Sequence, residues 1–176
     1  AVKKSFERAQ KVAELAKITA RYPILTKMKS ESLDAKTLRI TLDDVFAPFL
    51  ATLAAPNYGI VDVEEALKNA KGDDQGQAWL KANSAGSGPY ILQEYIPEQR
   101  IVLKRNPDYW GGWDGVKPKI DQIIQLHIPE SATRQLQISR GEAEIVHGLD
   151  GAQVKTLEAN ADIRVVKSRI ATTVNF

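Results

Sequence analysis

The chain has 176 residues, 43% of them hydrophobic, which is enough for a buried core and too many for a disordered chain. Its 24 basic and 22 acidic residues leave a formal net charge of +2, too small to argue for nucleic acid or anionic lipid as a partner. The absence of cysteine excludes disulfides, cysteine nucleophiles and thiolate metal sites, and no apolar run reaches the roughly 18 residues of a transmembrane helix.

Residues 5–17 carry Phe6, Ala9, Val12, Ala13 and Ala16 at helical spacing, which predicts an amphipathic helix with a solvated face of Lys, Glu, Arg and Gln. Residues 22–30 read as extended and 33–37 as a turn. The alternation in Leu38–Leu42 predicts a strand that pairs back as a hairpin. Asp43 or Asp44 is placed to cap a helix holding Phe46, Phe49, Leu50 and Leu53, where Pro48 fits only the first turn. Residues 55–59 break the chain, Ile60 and Val61 are extended, and Asp62 caps a short helix through Val63, Ala66 and Leu67. A polar connector at 71–76 leads to one or two more helical turns over 77–83.

The stretch 85–113, AGSGPYILQEYIPEQRIVLKRNPDYWGGW, organises the rest. Glycines at 86 and 88 and the fixed φ of Pro89 make a turn with a set direction. Tyr90–Ile96 and Arg100–Arg105, separated by the breaker at 97–99, predict an antiparallel hairpin. Asn106 and Pro107 end it, and Tyr109 and Trp110 are expected to fold back on its base rather than stack on a ligand. Residues 120–128 predict a strong strand closed by Pro129. Ser131 is placed to cap a helix that Gly141 terminates. Residues 142–147 read as a strand, followed by a helix through Val154 and Leu157 and by last strands at 163–166 and 171–176. Strands alternating with helices argue a mixed α/β layer.

Each candidate for chemistry has a plainer reading. Gly86-Ser87-Gly88 lacks the lysine and the preceding strand of a phosphate loop, and Ser87 is followed by a proline and a strand rather than the helix of a nucleophile elbow. His127 and His147, the only histidines, match no metal spacing with Glu130 or Glu144. Asp43-Asp44, Glu64-Glu65 and Asp73-Asp74 are sequence neighbours and do not face one target, so paired-carboxylate catalysis is not supported. Lys104 and Arg105 beside Tyr109, Trp110 and Trp113 suggest base stacking, but Asp108 and Asp114 lie among the same aromatics. No catalytic constellation, cofactor motif or metal motif emerges, which favours a binding module over an enzyme built on either histidine.

GSGPY, a hairpin and then RNPDYWGG resemble the signature of the extracellular solute-binding proteins of ABC transporters, in the dipeptide, oligopeptide and nickel-binding family. That pattern has a threonine where Ser87 stands, and serine keeps the small hydroxyl. Ser5-Phe6-Glu7-Arg8-Ala9, Leu38–Leu42, the helix through Phe49 and Leu50, the run from Gln135 to Ile145 and Thr173-Val174-Asn175-Phe176 resemble further motifs in the same order, so the likeness covers nearly the whole chain.

The resemblance implies an α/β, mixed α+β chain that is part of a two-lobed periplasmic binding protein type II-like fold. Residues 1–84 would belong to the smaller lobe and 85–176 to the larger, leading toward an absent third lobe. Residues 1–5 have no apolar segment of a signal peptide behind them, and the resemblance implies an internal fragment. It also implies capture of peptides or similar small polar solutes for a membrane permease, at the periplasmic or extracellular face. Contact with the membrane would come only through the permease or a lipid anchor outside this chain, and neither cofactor nor nucleic acid is involved. By resemblance, Asn57, Tyr58, Thr172, Thr173 and Asn175 would line the ligand cleft, Tyr58 with a flat ring and the others with polar groups. The alternative is a small α/β interaction or assembly module without a transport role.

Overall fold

The structure, a computed structural model, describes residues 1–17, 24, 27–115 and 120–166. Chain contacts group these into one unit, Ala1–Gln125, and a second from Leu126 on. In the first unit, helix α1 (Val2–Leu15) buries Ser5, Phe6 and Ala13 on one face, as the spacing predicts, though it starts three residues before 5. Strands β1 (Met28–Ser32) and β2 (Leu38–Leu42) pair antiparallel, Met28 opposite Leu42 and Ser32 opposite Leu38. Asp34 closes their turn: its Oδ1 accepts from the backbone N–H of Lys36 and Thr37 at 2.7 and 2.8 Å. Phe6, Ile24, Met28 and Tyr58 form a buried cluster, and Leu38, Ile40, Leu42, Phe49 and Leu53 pack against it.

Several local expectations are corrected here. Of residues 22–30, only Met28–Ser30 are strand; Ile24 is helical, Lys27 is in a turn, and 22, 23, 25 and 26 lie outside the described residues. Helix α2 spans Phe49–Leu53 only, with Pro48 at its N-cap and no side-chain cap. Asp43 and Asp44 are drawn instead to lysines across the ladder, Asp44 to Lys27 at 3.1 Å and Asp43 to Lys29 at 3.7 Å. The helix starts at Phe49, so both aspartates stand several residues before its N-cap and out of capping reach. Pro56–Tyr58 then form a 3-10 turn.

Helix α3 (Val63–Lys68) is capped by Asp62, whose side chain accepts from the N–H of Glu64 and Glu65, as expected. Helix α4 (Gln77–Leu80) follows a connector ordered by Asp74, which accepts from the backbone of Lys71, Gly76 and Ala78 at 2.9–3.0 Å. Three side chains of α1 hold this region. Ser5 Oγ donates to Val61 O at 2.8 Å and accepts from Val61 N–H at 3.1 Å, so one buried hydroxyl satisfies both backbone groups of an extended residue. Arg8 donates to Gln75 O at 2.7 Å and Gln77 Oε1 at 2.9 Å, and Lys4 pairs with Glu64.

Strands β3 (Tyr90–Ile96) and β4 (Arg100–Arg105) form the expected hairpin, with a bulge between Leu92 and Glu94. Strand β5 (Gln122–Leu126) adds to β4, giving the order β3-β4-β5. It is shorter than the run 120–128, and every residue in it is exposed. The turn at 86–89 is present, but neither Gly86 nor Gly88 has positive φ, and a Cβ at either would meet nothing within 4 Å. Direction comes instead from Asn106, which is 9% exposed. Its N–H donates to Pro89 O at 2.8 Å, its Nδ2 donates to Gly88 O at 2.9 Å, and its Oδ1 accepts from Asp108 N–H at 3.1 Å.

Trp113 donates through Nε1 to Asn106 O at 2.7 Å and sets its ring 5.7 Å from both Tyr90 and Tyr109, under the Arg105 guanidinium. Tyr109 folds back as expected, and Gly111 makes room: a Cβ there would lie 2.7 Å from the Tyr109 ring. Trp110 does not fold back; it is 80% exposed and touches Tyr109 alone among the described aromatic rings.

In the second unit, helix α5 (Ser131–Ser139) ends at Gly141 with φ 70. Gly141 N–H donates to Ile138 O and Glu142 N–H to Gln137 O, a Schellman closure. Ser131 is the first helical residue rather than the cap, which is Glu130, and its hydroxyl accepts from Gln153. Helix α6 (Gly151–Glu158) starts on a capping box between Asp150 and Gln153. Arg134 donates to the carbonyls of Ile128, Pro129 and Gly148, fixing the two turns that flank α5 and α6. Residues 142–147 and 163–166 are not strands: a strand needs a neighbour to pair with, and none pairs with them among the described residues. The strand expected at 171–176 lies outside the described residues.

Candidate functional site

Among the described residues of the first unit, two concavities stand out. The larger, about 600 Å³, runs between the extended residues 60–62, the start of α3 and residues 84–87. Its walls are joined by a backbone hydrogen bond from Asp62 N–H to Ala85 O at 2.6 Å, and Ser5 holds Val61 from behind. Its charges are spent internally. Lys4 binds Glu64, whose hydrogen bond and charge push the ammonium above its ordinary value; Asp62 caps α3; Glu65 lies 3.8 Å from Lys68.

The second concavity, about 430 Å³, is lined by Ile24, Leu42, Val45, Phe46, Thr52 and Tyr58. Lys27 and Asp44 stand on it as an ion pair. The β2 ladder brings Leu42 to one wall, the 3-10 turn brings Tyr58 to another, and the loop between β2 and α2 supplies Val45 and Phe46. Tyr58 is only 8% exposed, held by Phe6, Ile24 and Met28, so its ring is a fixed wall rather than a mobile arm.

Of the residues proposed from sequence to line a ligand cleft, Tyr58 is the one the structure sets in a concavity. Asn57 lies in the same 3-10 turn, and its side chain is not among those described. Thr172, Thr173 and Asn175 lie outside the described residues. Five carboxylates of the three pairs have other partners: Asp43 and Asp44 pair with Lys29 and Lys27, Glu64 and Glu65 with Lys4 and Lys68, and Asp74 accepts from backbone N–H groups. His127 and His147 are exposed, and among the described residues no three His, Asp or Glu side chains converge as a metal set. No described helix is long and apolar enough to cross a membrane.

Sequence reasoning missed the wall of Leu42, Val45 and Phe46, because it placed Phe46 on a helix face. It also missed Asn106. The signal for Asn106 was present, since an asparagine before a proline can bond the backbone on both sides, but its partners lie 17 and 18 residues away.

Comparison with known proteins turns this geometry into a class. The structure superposes on the ABC transporter-associated periplasmic binding protein DppA of Helicobacter pylori in complex with peptide STSA, with a TM-score of 0.74 and 28% identity over 91% of this chain and 32% of that one. It also superposes on the solute-binding protein MoaA in complex with mannopinic acid from A. tumefacien R10, with a TM-score of 0.70 and 30% identity over 90% of this chain and 30% of that one. The mixed α/β architecture is therefore that of a type II periplasmic binding protein. In sequence, the chain is 35% identical over 167 residues to the "Probable D,D-dipeptide-binding periplasmic protein DdpA" of Escherichia coli strain K12, covering 95% of this chain and 30% of that protein. The model of the middle part of the bacterial extracellular solute-binding proteins, family 5, matches residues 1–176, and the chain belongs to that family. It spans about 30% of the length of the curated relative.

Proposed function

We propose that this chain is part of the substrate-binding component of an ABC importer, which captures peptides or similar small polar solutes and hands them to a membrane permease. The observation that carries the reading is the family match over all 176 residues, joined to a peptide-bound structural neighbour at a TM-score of 0.74. The protein works by binding and not by catalysis, which accords with carboxylates committed to caps and ion pairs. It operates at the periplasmic or extracellular face and meets the membrane only through the permease or an anchor outside this chain; the relative named for D,D-dipeptide binding is a periplasmic protein.

Within the whole protein, residues 1–84 belong to a smaller lobe and 85–176 to a larger one. Asn57, Tyr58, Thr172, Thr173 and Asn175 line the cleft that closes on the solute. Titration calorimetry of the full-length protein against a panel of di- and tripeptides, with opines and nickel-histidine as competitors, tests this. Saturable binding of peptides at micromolar concentration or below is expected; binding of none of these solutes rejects the reading.

A further inference from the structure

We propose that the 430 Å³ groove beside Tyr58 is a subsite for one uncharged, apolar side chain of the bound solute. This rests on the solute-binding reading above and narrows the solute to peptides carrying such a side chain. Size sets the first limit. Small-molecule sites run from about 300 to 1,000 Å³, so a groove of about 430 Å³ has room for the largest amino-acid side chain and not for a long peptide.

Charge sets the second limit. Lys27 and Asp44, the charged residues that line the groove, bind each other at 3.1 Å. An ionised guest would find no unspent counter-charge there and would lose its hydration. The Thr52 hydroxyl donates to Pro48 O at 3.0 Å, so its one proton is already engaged. What remains is the surface of Ile24, Leu42, Phe46 and the Tyr58 ring, which recognises apolar area.

The wall is also preformed. Tyr58 is locked in the core at 8% exposure, so filling the groove does not require it to be ordered first. The lip is the opposite. Val45 is fully exposed at 101% and Phe46 is 42% exposed, side by side on the loop leaving β2. A guest seated in the groove would shield both, and burial of apolar area on both partners is the driving force.

The test uses the full-length protein. The chain has no cysteine of its own, so Val45→Cys, in a background cleared of any cysteine elsewhere, gives a single thiol on the lip. At 101% exposure, Val45 packs on nothing within these 176 residues. Maleimide labelling is followed with no peptide, with a glycyl dipeptide and with a leucyl dipeptide at equal occupancy, and calorimetry gives both affinities. The expected result is rapid labelling without peptide, slowed about tenfold by the leucyl peptide and far less by the glycyl one, with the leucyl peptide bound on the order of tenfold more tightly. Val45→Asp should reduce that preference toward unity. Slow labelling without peptide would mean that the rest of the polypeptide covers the groove, and overturns the subsite. Rapid labelling that neither peptide slows, or a leucyl preference unchanged by Val45→Asp, overturns the subsite while leaving solute binding intact. If calorimetry detects neither peptide, the subsite falls and the peptide reading falls with it.

Discussion

Gly76 is the position where a single methyl group should do most harm. It holds φ 71, a region that costs an L-residue about 1–2 kcal/mol. An added Cβ would also lie 2.2 Å from Ala66 O and 2.6 Å from Ala66 C, both backbone atoms of a residue with no exposed surface. Backbone in the middle of α3 cannot step aside as a flexible side chain can, and overpacking of this kind costs a further 1–3 kcal/mol or so. Gly76→Ala should therefore destabilise by about 2–5 kcal/mol. Gly72, in the same connector at φ 59, has nothing within 4 Å of its Cβ position. Gly72→Ala should cost only the backbone part, about 1–2 kcal/mol. Urea unfolding followed by tryptophan fluorescence reads both, with Trp79 in the adjoining α4 as a local reporter. At a denaturant slope of about 1–3 kcal/mol per molar, the two midpoints should separate by on the order of 1 M. Equal midpoints would refute the close approach of the connector to α3.

Three further outcomes follow from the same structure. Asp150→Ala removes the capping box of α6 and should cost about 0.5–2 kcal/mol, seen as faster amide exchange at Ala152 and Gln153; unchanged exchange would deny the cap. Trp113→Ala should destabilise by on the order of 2–3 kcal/mol, because the ring packs on Tyr90 and Tyr109 and bonds Asn106, whereas Trp110→Ala should stay within about 0.5 kcal/mol; thermal melts giving the reverse order would reject the packing. Asp34 and Asp74 are held below the ordinary carboxylate value of 3.8 mainly by backbone N–H donors, and Glu94 below 4.5 by Arg100. Lowered carboxylates stabilise the fold above their unfolded values and lose that contribution as pH falls through the folded ones. Stability should then be level from pH 7 to about 5 and decline below about pH 4. Asp74→Asn should flatten the decline; an unaltered slope would remove Asp74 from the account.

What could be read in the sequence was what local chemistry decides. Asp62 caps α3 and Gly141 closes α5 because each acts within four residues of itself. The two hairpins followed from alternation and short breakers, and GSGPY followed by RNPDYW was enough to point to the family. What failed depended on distant partners. Residues 142–147 have strand composition, but composition cannot supply a neighbouring strand. Asp43 and Asp44 looked like caps, but the helix starts only at Phe49, and the β1–β2 hairpin sets them beside Lys29 and Lys27. Ser131 has the side chain of a cap, yet it sits one residue past the cap position of α5, where its hydroxyl accepts from Gln153. The groove beside Tyr58 was half visible: the tyrosine was chosen for its ring, while the wall of Leu42, Val45 and Phe46 comes from a hairpin and a loop that only folding sets against it.

The central claim, that this chain supplies part of a solute-binding cleft whose other wall lies elsewhere in the protein, is tested most directly by titrating the same peptides into the 176-residue chain and the full-length protein. Half a cleft leaves each polar contact in water, worth about 0.5–1.5 kcal/mol net, against several kcal/mol of lost translational and rotational freedom. The account predicts dissociation constants of about 1 mM or weaker for the chain alone, near −4 kcal/mol, and micromolar or tighter binding for the full-length protein. Micromolar binding by the 176-residue chain would contradict it, because the site would then be complete within these residues.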